Sequence, residues 1–267
     1  MRRRGIHRPT IEDLVELSGI ETLHPGGMQL TRRTGEVAGL KPGTRVLDVS
    51  SGRGTQAIFY AETFGADVTG VDLSDEMLAA ARANARAAGI SKRVRFEKGD
   101  SQALPFPPKS FDVVINECAA GIPDDSQAVI NEMVRVARTG GVIAMHESTW
   151  RASLSSTEKD DFSERYGTTP LEFSEWEAML EVAGLVNIKW EFDEWSMPEM
   201  FWNIRKGRVV HDHAKIFTKW EESRTLLRVI GEFGLRGVFK AYENKRVFFE
   251  AVTQGKLGYC LFWGEKP

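Results

Sequence analysis

Cysteine is scarce in this chain. Cys118 and Cys260 are its two, too few for a disulfide framework or a cysteine-rich zinc site, and both are read as reduced thiols. Long apolar runs are missing too: none approaches the ~20 residues that span a bilayer. The opening MRRRGIHRPTIEDLVELSG has basic residues but neither an apolar core nor a small-residue cleavage site, so no secretory signal is expected. A cytoplasmic location follows as the expectation. Nor is there an excess of positive charge: 35 Lys and Arg against 38 Asp and Glu give −3. That balance argues against a protein that grips nucleic acid with a broad basic surface. Internal repeats and low-complexity segments are absent. His211-x-His213 lacks a third ligand at recognisable spacing, so no metal is expected.

With 267 residues, 42% of them hydrophobic and 27% charged, the chain suits one large α/β domain with an insertion, or two modest ones. Its middle alternates short β-rich runs with helical patterns, as βαβ units around a parallel sheet do. TRVLDVS, ADVTGVDLS, RVRFEKGD, FDVVINE and GVIAMHES read as five strands. Helices are predicted over TQAIFYAETFG, over DEMLAAARANARAAG with Ser74 as N-cap, and over SQAVINEMVRVART, which Gly140-Gly141 closes. A further helix over LEFSEWEAMLEVAGL precedes strands NIKWEFDEW and GKLGYCLFWGEK. Between these last two lies an aromatic-rich, mostly helical stretch, too long for a plain connection. The expected organisation is a cap segment over residues 1–44, a nucleotide-binding domain over 45–195 with 255–267, and an inserted lid over 196–254.

VLDVSSGRGTQA, Val46 to Ala57, is where ligand chemistry first shows. Gly52-x-Gly54-x-x-Ala57 fits the dinucleotide fingerprint, and Asp72 stands about 20 residues on, where a ribose-binding acid belongs. Gly52 and Gly54 would let backbone N–H groups approach a ligand that a Cβ would block. The helix that follows, which includes Gln56, offers its positive end to an anion. Packing of strand on helix is the plainer use of such a turn. Asp72, with Leu73 beside it, can accept two hydrogen bonds from a ribose diol. At the end of the third strand, Asp100 can accept from an adenine amino group while Ser101 meets the ring edge. On spacing alone Asp100 serves equally well as a turn residue. A nicotinamide cofactor accounts for Gly52, Gly54, Ala57 and Asp72, but not for the ordered pattern downstream.

VLDVSSGRG, VTGVDLSDEML, GDSQALPFPPKSFDVVINE and MVRVARTGGVIAMHE together resemble the successive motifs of class I S-adenosylmethionine-dependent methyltransferases. The likeness is nearest to the small-molecule branch with ubiquinone/menaquinone-biosynthesis and sarcosine/dimethylglycine-type enzymes, and it runs from about Lys41 to Glu147. It implies a Rossmann-like, doubly wound, seven-stranded sheet whose last strand is antiparallel. It assigns Gly52 and Gly54 to the methionine moiety, Asp72 to the ribose and Asp100-Ser101 to the adenine. S-adenosyl-L-methionine is then the cofactor and S-adenosyl-L-homocysteine the product. Ser50-Ser51 departs from the Gly-Cys or Gly-Ser usual at that place, which puts the loop geometry in doubt. Asp48 is expected to order the loop or to reach the ligand's ammonium through water.

Methyl transfer from a sulfonium is an in-line displacement, and holding donor and acceptor in line supplies much of the catalysis. A base is needed only when the nucleophile arrives protonated. Asn116, Glu117 and Cys118 follow the fourth strand; His146, Glu147 and Trp150 follow the fifth. Asn116 is counted with the cofactor residues. His146, Glu147 and Glu117 are the candidate catalytic groups, with His146-Glu147 as a pair that orients the acceptor or takes its proton. Cys118 is read chiefly as a small buried residue, against a nucleophile or thiol relay. Substrate contacts are placed on Cys118, Trp150, Trp195, Trp202 and His211; for Trp195, Trp202 and His211 lid packing is the plainer role. His24, ahead of Pro25-Gly26-Gly27, is expected with Gly27 to fold over the methionine end of the cofactor; an ordinary turn is the alternative. The expected partner is a small-molecule acceptor. A protein that binds the cofactor without turnover is the non-enzymatic reading, and a nicotinamide oxidoreductase is the other.

Overall fold

The computed structural model describes residues 27–166, 170–192 and 219–267. The five predicted parallel strands form as β1 (Arg45–Val49), β2 (Asp67–Asp72), β3 (Val94–Lys98), β4 (Phe111–Glu117) and β5 (Ala137–Trp150). Two more follow, β7 (Val186–Phe192) and β8 (Leu257–Glu265), with a two-residue β6 (Leu171–Glu172) beside the end of β5. Strand order is β3-β2-β1-β4-β5-β8-β7. β8 runs antiparallel to both neighbours while the remaining pairings are parallel. The order reverses between β1 and β4, so the loop after β1 opens at a switch point beyond the carboxyl ends of the strands.

Helices cover both faces. α1 (Gly27–Val37), α2 (Thr55–Phe64) and α3 (Asp75–Ala87) lie on one face, and α4 (Ser126–Val136) and α6 (Phe173–Val182) on the other. Side chains alternate across a strand, so Val46, Val113, Ile115 and Ala144 enter the first core, and Leu47, Val49, Val114, Ile143 and Met145 the second. The central strands β1, β2 and β4 are buried over most of their length on both sides, as parallel sheets require.

Local chemistry sets the helix ends. Ser74 accepts from the Met77 N–H at 3.3 Å and caps α3, as its sequence position predicts. α4 stops at Val136 rather than at Gly140-Gly141, because Ala137 is already extended (φ −70°, ψ 143°) and pairs with Phe111 in β5. Leu171-Glu172, predicted as helix, pairs with Thr149 and Trp150, and Glu172 then caps α6 in a reciprocal box with Glu175. A helix absent from the sequence reading, α5 (Ser156–Tyr166), packs against α7 (Lys219–Thr253), the long helix before β8. α7 is kinked at Gly234 (φ 67°, ψ −173°). Phe162 of α5 and Ala251 and Val252 of α7 close around Trp150.

The two loop glycines are required for different reasons. Gly54 (φ +76°) has no room for a side chain: a Cβ would stand 2.4 Å from Phe96 Cζ. Gly52 (φ +50°) faces open space, with nothing within 4 Å of its Cβ position. Gly54 is thus fixed as glycine by packing against Phe96, the alternative that the sequence reading set beside ligand approach. Gly54→Ala is expected to lower stability by about 2–4 kcal/mol, overpacking added to left-handed strain. Gly52→Ala should cost only about 1–2 kcal/mol. Urea denaturation of the two variants checks the difference; equal losses would show that the clash with Phe96 is relieved.

Candidate active site

The loop after β1 is built from left-handed residues at alternate positions: Ser50 (φ 60°), Gly52 and Gly54. It is tied to β2 throughout. The Ser51 N–H donates to Val71 O at 2.9 Å, and the Gly52 N–H donates to Asp72 Oδ2 at 2.8 Å. The other Asp72 oxygen accepts from the Ser74 N–H at 2.9 Å. One carboxylate therefore couples the glycine loop to the start of α3, and lone pairs remain on both oxygens for a further donor. Leu73 beside it is 64% exposed, an apolar surface open at the end of β2. Gln56, on the first turn of α2, is half-buried.

At the end of β3, Asp100 Oδ1 accepts from the Gln102 N–H at 2.9 Å and shapes a tight turn closed by a bridge to Ala103. Ser101, half-buried, sits at its tip. Asn116 is wholly buried; its Nδ2 donates to Val49 O and its Oδ1 accepts from the Ala119 N–H. It ties the end of β4 to the start of the β1 loop.

A run of buried polar groups lies on the α1–α3 face. Asp48, Glu117 and His146 all point there, because β1, β4 and β5 pair in register and each residue has the parity of Ile115 and Ala144. Glu117 and His146 are cross-strand partners. The His146 Nε2 stands 3.3 Å from Glu117 Oε2, within salt-bridge distance but without hydrogen-bond alignment. His146 Nδ1 lies 3.1 Å from the Cys118 sulfur. Two hydroxyls complete the carboxylate's surroundings: Thr31 of α1 donates to Oε2 at 2.8 Å, and Tyr60 of α2 donates to Oε1. Gly35 makes this possible, since a Cβ there would stand 2.6 Å from Phe64 and push α1 off α2. The Asp48 carboxyl is fully buried and Oδ2 has no hydrogen-bond partner among the described residues. Burial above all, then the neighbouring Glu117 and Asp72, pushes its pKa well above the usual carboxylate range. Burial and Glu117 likewise push the Tyr60 phenol up.

Glu147 does not join this group. As the next residue along β5 it points to the opposite face, where Oε1 accepts from the Ala120 N–H at 2.7 Å. The predicted His146-Glu147 pair is therefore replaced by a His146–Glu117 pair. Trp150 is buried at 3% exposure and stacks edge-on with Phe162 at 4.9 Å, inside the apolar cluster that seats α7. It is core there, rather than the substrate contact of the sequence reading. Gly27 opens α1; His24, Trp195, Trp202 and His211 lie outside the described residues. Thr31 and Tyr60 went unnoticed in the sequence, since each reads as one more position on an amphipathic helix.

Burial raises the Glu147 pKa from 4.5 to about 7, against the pull of N–H donors from Ala119, Ala120, Gly121 and Ser148. The unfolded chain thus gives up this proton at lower pH than the native one. Its stabilising contribution is whole below pH 4.5 and is lost as pH rises through about 7, a swing of roughly 3 kcal/mol. Glu147→Gln should flatten that slope, and denaturant midpoints measured across this range test it. Parallel slopes for the two proteins would remove Glu147 as the cause.

Comparison with known proteins gives this geometry its setting. A methyltransferase domain model matches residues 46–141, from β1 into β5. The 27-O-demethylrifamycin SV methyltransferase of Amycolatopsis mediterranei is 32% identical over 259 residues, 92% of this chain and 86% of that protein. Among solved structures, phosphoethanolamine N-methyltransferase 2 of Haemonchus contortus superposes with a TM-score of 0.73 at 19% identity, over 96% of this chain and 57% of that one. The [4+2]-cyclase SpnF superposes at 0.72 with 21% identity, over 97% and 94%. These two show the fold. Among the described residues no helix is long and apolar enough to cross a membrane, and no three metal-ligating side chains converge. The nicotinamide and non-catalytic readings give way: the chain belongs to the S-adenosylmethionine-dependent methyltransferases and transfers a methyl group to a small-molecule acceptor.

Proposed function

We propose that the acceptor is a hydroxyl-bearing small molecule whose proton is lost to a relay built on the Glu117–His146 pair. The observation that carries this is the pair itself, buried at 2% and 0% side-chain exposure beside the switch point. A carboxylate and an imidazole held together at the expense of desolvation suit a nucleophile that arrives protonated and weakly acidic. The rifamycin relative, named for its action at a 27-O position, supports an oxygen acceptor.

The residues present fit the cofactor. Gly52 leaves an open cradle where a side chain would stand, and the buried Asp48 Oδ2 and Ser51 Oγ lack partners among the described residues. When bound, S-adenosylmethionine supplies a methyl group on a positively charged sulfur. In this reading Ser50, Ser51, Gly52, Gly54 and Gln56 shape the methionine end, with Asp48 ordering the loop through its bond from the Ala57 N–H. Asp72 takes the ribose hydroxyls, Leu73 covers a ring face, and Asp100 with Ser101 reads the adenine edge. Asn116 acts through the loop it ties down. The same reading assigns closure of the site over domain 45–195 with 255–267 to the segment with His24 and Gly27 and to the insert over 196–254, although His24, Trp195, Trp202 and His211 lie outside the described residues. An acceptor other than nucleic acid goes with this reading, supported by the net charge of −3, and a cytoplasmic site of action is part of the same proposal.

S-adenosylhomocysteine titrated into the protein should bind, and Asp72→Asn should weaken it by about 10–100-fold, the worth of one charged hydrogen bond. In a panel of phenols, alcohols, amines and thiols, turnover should favour hydroxyl acceptors. His146→Ala should lower kcat by roughly 10²–10⁴-fold while leaving cofactor affinity within a few-fold. Turnover of amines alone, indifferent to His146, would overturn the assignment.

A further inference from the structure

The His146 ring is 0% exposed. One of its nitrogens faces Glu117 at 3.3 Å and the other faces the Cys118 sulfur at 3.1 Å. An acceptor therefore meets the relay elsewhere. Cys118 is the member that surfaces: it is half-buried and sits just past β4, next to the strand that carries the cofactor loop. Its backbone is left-handed (φ 56°), a conformation costly for a side-chain-bearing residue, and its N–H donates to His146 O at 2.8 Å. Strain of this kind, held in place by a neighbouring strand, aims the sulfur at the imidazole.

We propose that Cys118 is a further catalytic residue, a thiolate paired with the His146 imidazolium that itself accepts the proton of the acceptor hydroxyl. The inference rests on the hydroxyl-acceptor reading above. Thiol, imidazole and carboxylate stand in the order that activates a nucleophile or base. The Sγ proton moves to Nδ1, and the imidazolium so formed gains its ion pair with Glu117, whose carboxylate Thr31 and Tyr60 hold in place. In turnover the acceptor oxygen bonds to the methyl carbon while the methyl–sulfonium bond breaks, its electron pair staying on the cofactor sulfur. The hydroxyl proton passes to Cys118, and one proton is then released to solvent from the thiol–imidazolium pair, restoring the starting state.

The second cysteine provides an internal control. Cys260 is buried in β8 and its thiol is pushed up to about 12 by that burial, so it should not react. Iodoacetamide labelling of the folded full chain, followed by mass spectrometry across pH, reads the thiolate without methyl transfer. Cys118 should label at least tenfold faster at pH 7 than an ordinary thiol of pKa about 8.5, and His146→Asn should abolish that advantage. Cys118→Ala should lower kcat on hydroxyl acceptors by about 10²-fold and remove the lower limb of its pH profile, with KM and S-adenosylhomocysteine affinity held within threefold. Cys118→Ser should recover part of kcat at raised pH. Labelling at the rate of an ordinary thiol overturns the proposal, and so does fast labelling with an unchanged kcat in Cys118→Ala. If no hydroxyl acceptor turns over while Cys118 labels fast in a His146-dependent way, the acceptor reading fails and the activated thiol stands.

Discussion

The Glu117 carboxylate is the point on which the carboxyl end of this sheet converges. Four elements meet on it: β4, which carries it; β5, through His146; α1, through Thr31; and α2, through Tyr60. A buried carboxylate is expensive unless its oxygens are served, and here both oxygens have hydroxyl donors. The requirement runs outward. Thr31 reaches Glu117 because α1 lies close on α2, and α1 lies close because Gly35 carries no side chain. Arg33, two residues on, fixes the far side of the same helix by donating from Nε to Glu191 of β7 at 2.9 Å. α1 is thus part of the wall around this carboxylate.

A second carboxylate, Asp72, organises the loop edge of the sheet in the same way but in a wetter setting. It joins the glycine loop to the start of α3 through two backbone donors, so the ring of loops is shaped before a ligand arrives. Preorganised donors and acceptors save the ordering cost that binding would otherwise meet. The two centres differ in what burial does to them. Asp72 stays partly accessible and free to accept more bonds, whereas Asp48, between Asp72 and Glu117, is sealed in, and burial together with those two neighbouring carboxylates pushes its pKa up.

Strands and loops were legible in the sequence wherever pattern decides them. The five parallel strands, the capping role of Ser74 and the antiparallel last strand all followed from apolar runs, turn residues and the family likeness. What pattern cannot supply is which side of the sheet a side chain takes relative to residues far along the chain. His146 and Glu147 are adjacent, and adjacency in a strand means opposite faces; His146 finds its partner 29 positions upstream only through the β4–β5 register. Thr31 and Tyr60 were hidden for a related reason, as helix positions gain a polar role only from what the helix packs upon. Trp150 looked like a pocket residue because it follows a strand end. β5 instead continues to Trp150 itself, paired with Leu257 and Glu172, and carries the indole into the core.

Ser50-Ser51 is the clearest case of a local rule broken with a visible structural counterpart. The loop needs a left-handed residue at position 50, and serine adopts φ 60° there at a cost of about 1–2 kcal/mol relative to glycine. Ser51 is buried, with its N–H on Val71 O and its hydroxyl 2.6 Å from where a Cβ on Gly70 would stand. The missing side chain at Gly70 therefore makes the space that Ser51 fills, and a substitution at one of these positions bears on the other. The departure leaves Gly52 untouched, with open space at its Cβ position. Strain is taken up at the residue that bends the chain, while the position with open space beside it remains a glycine. Turning the chain and leaving room beside it are separable in this loop, and the sequence alters the first while keeping the second.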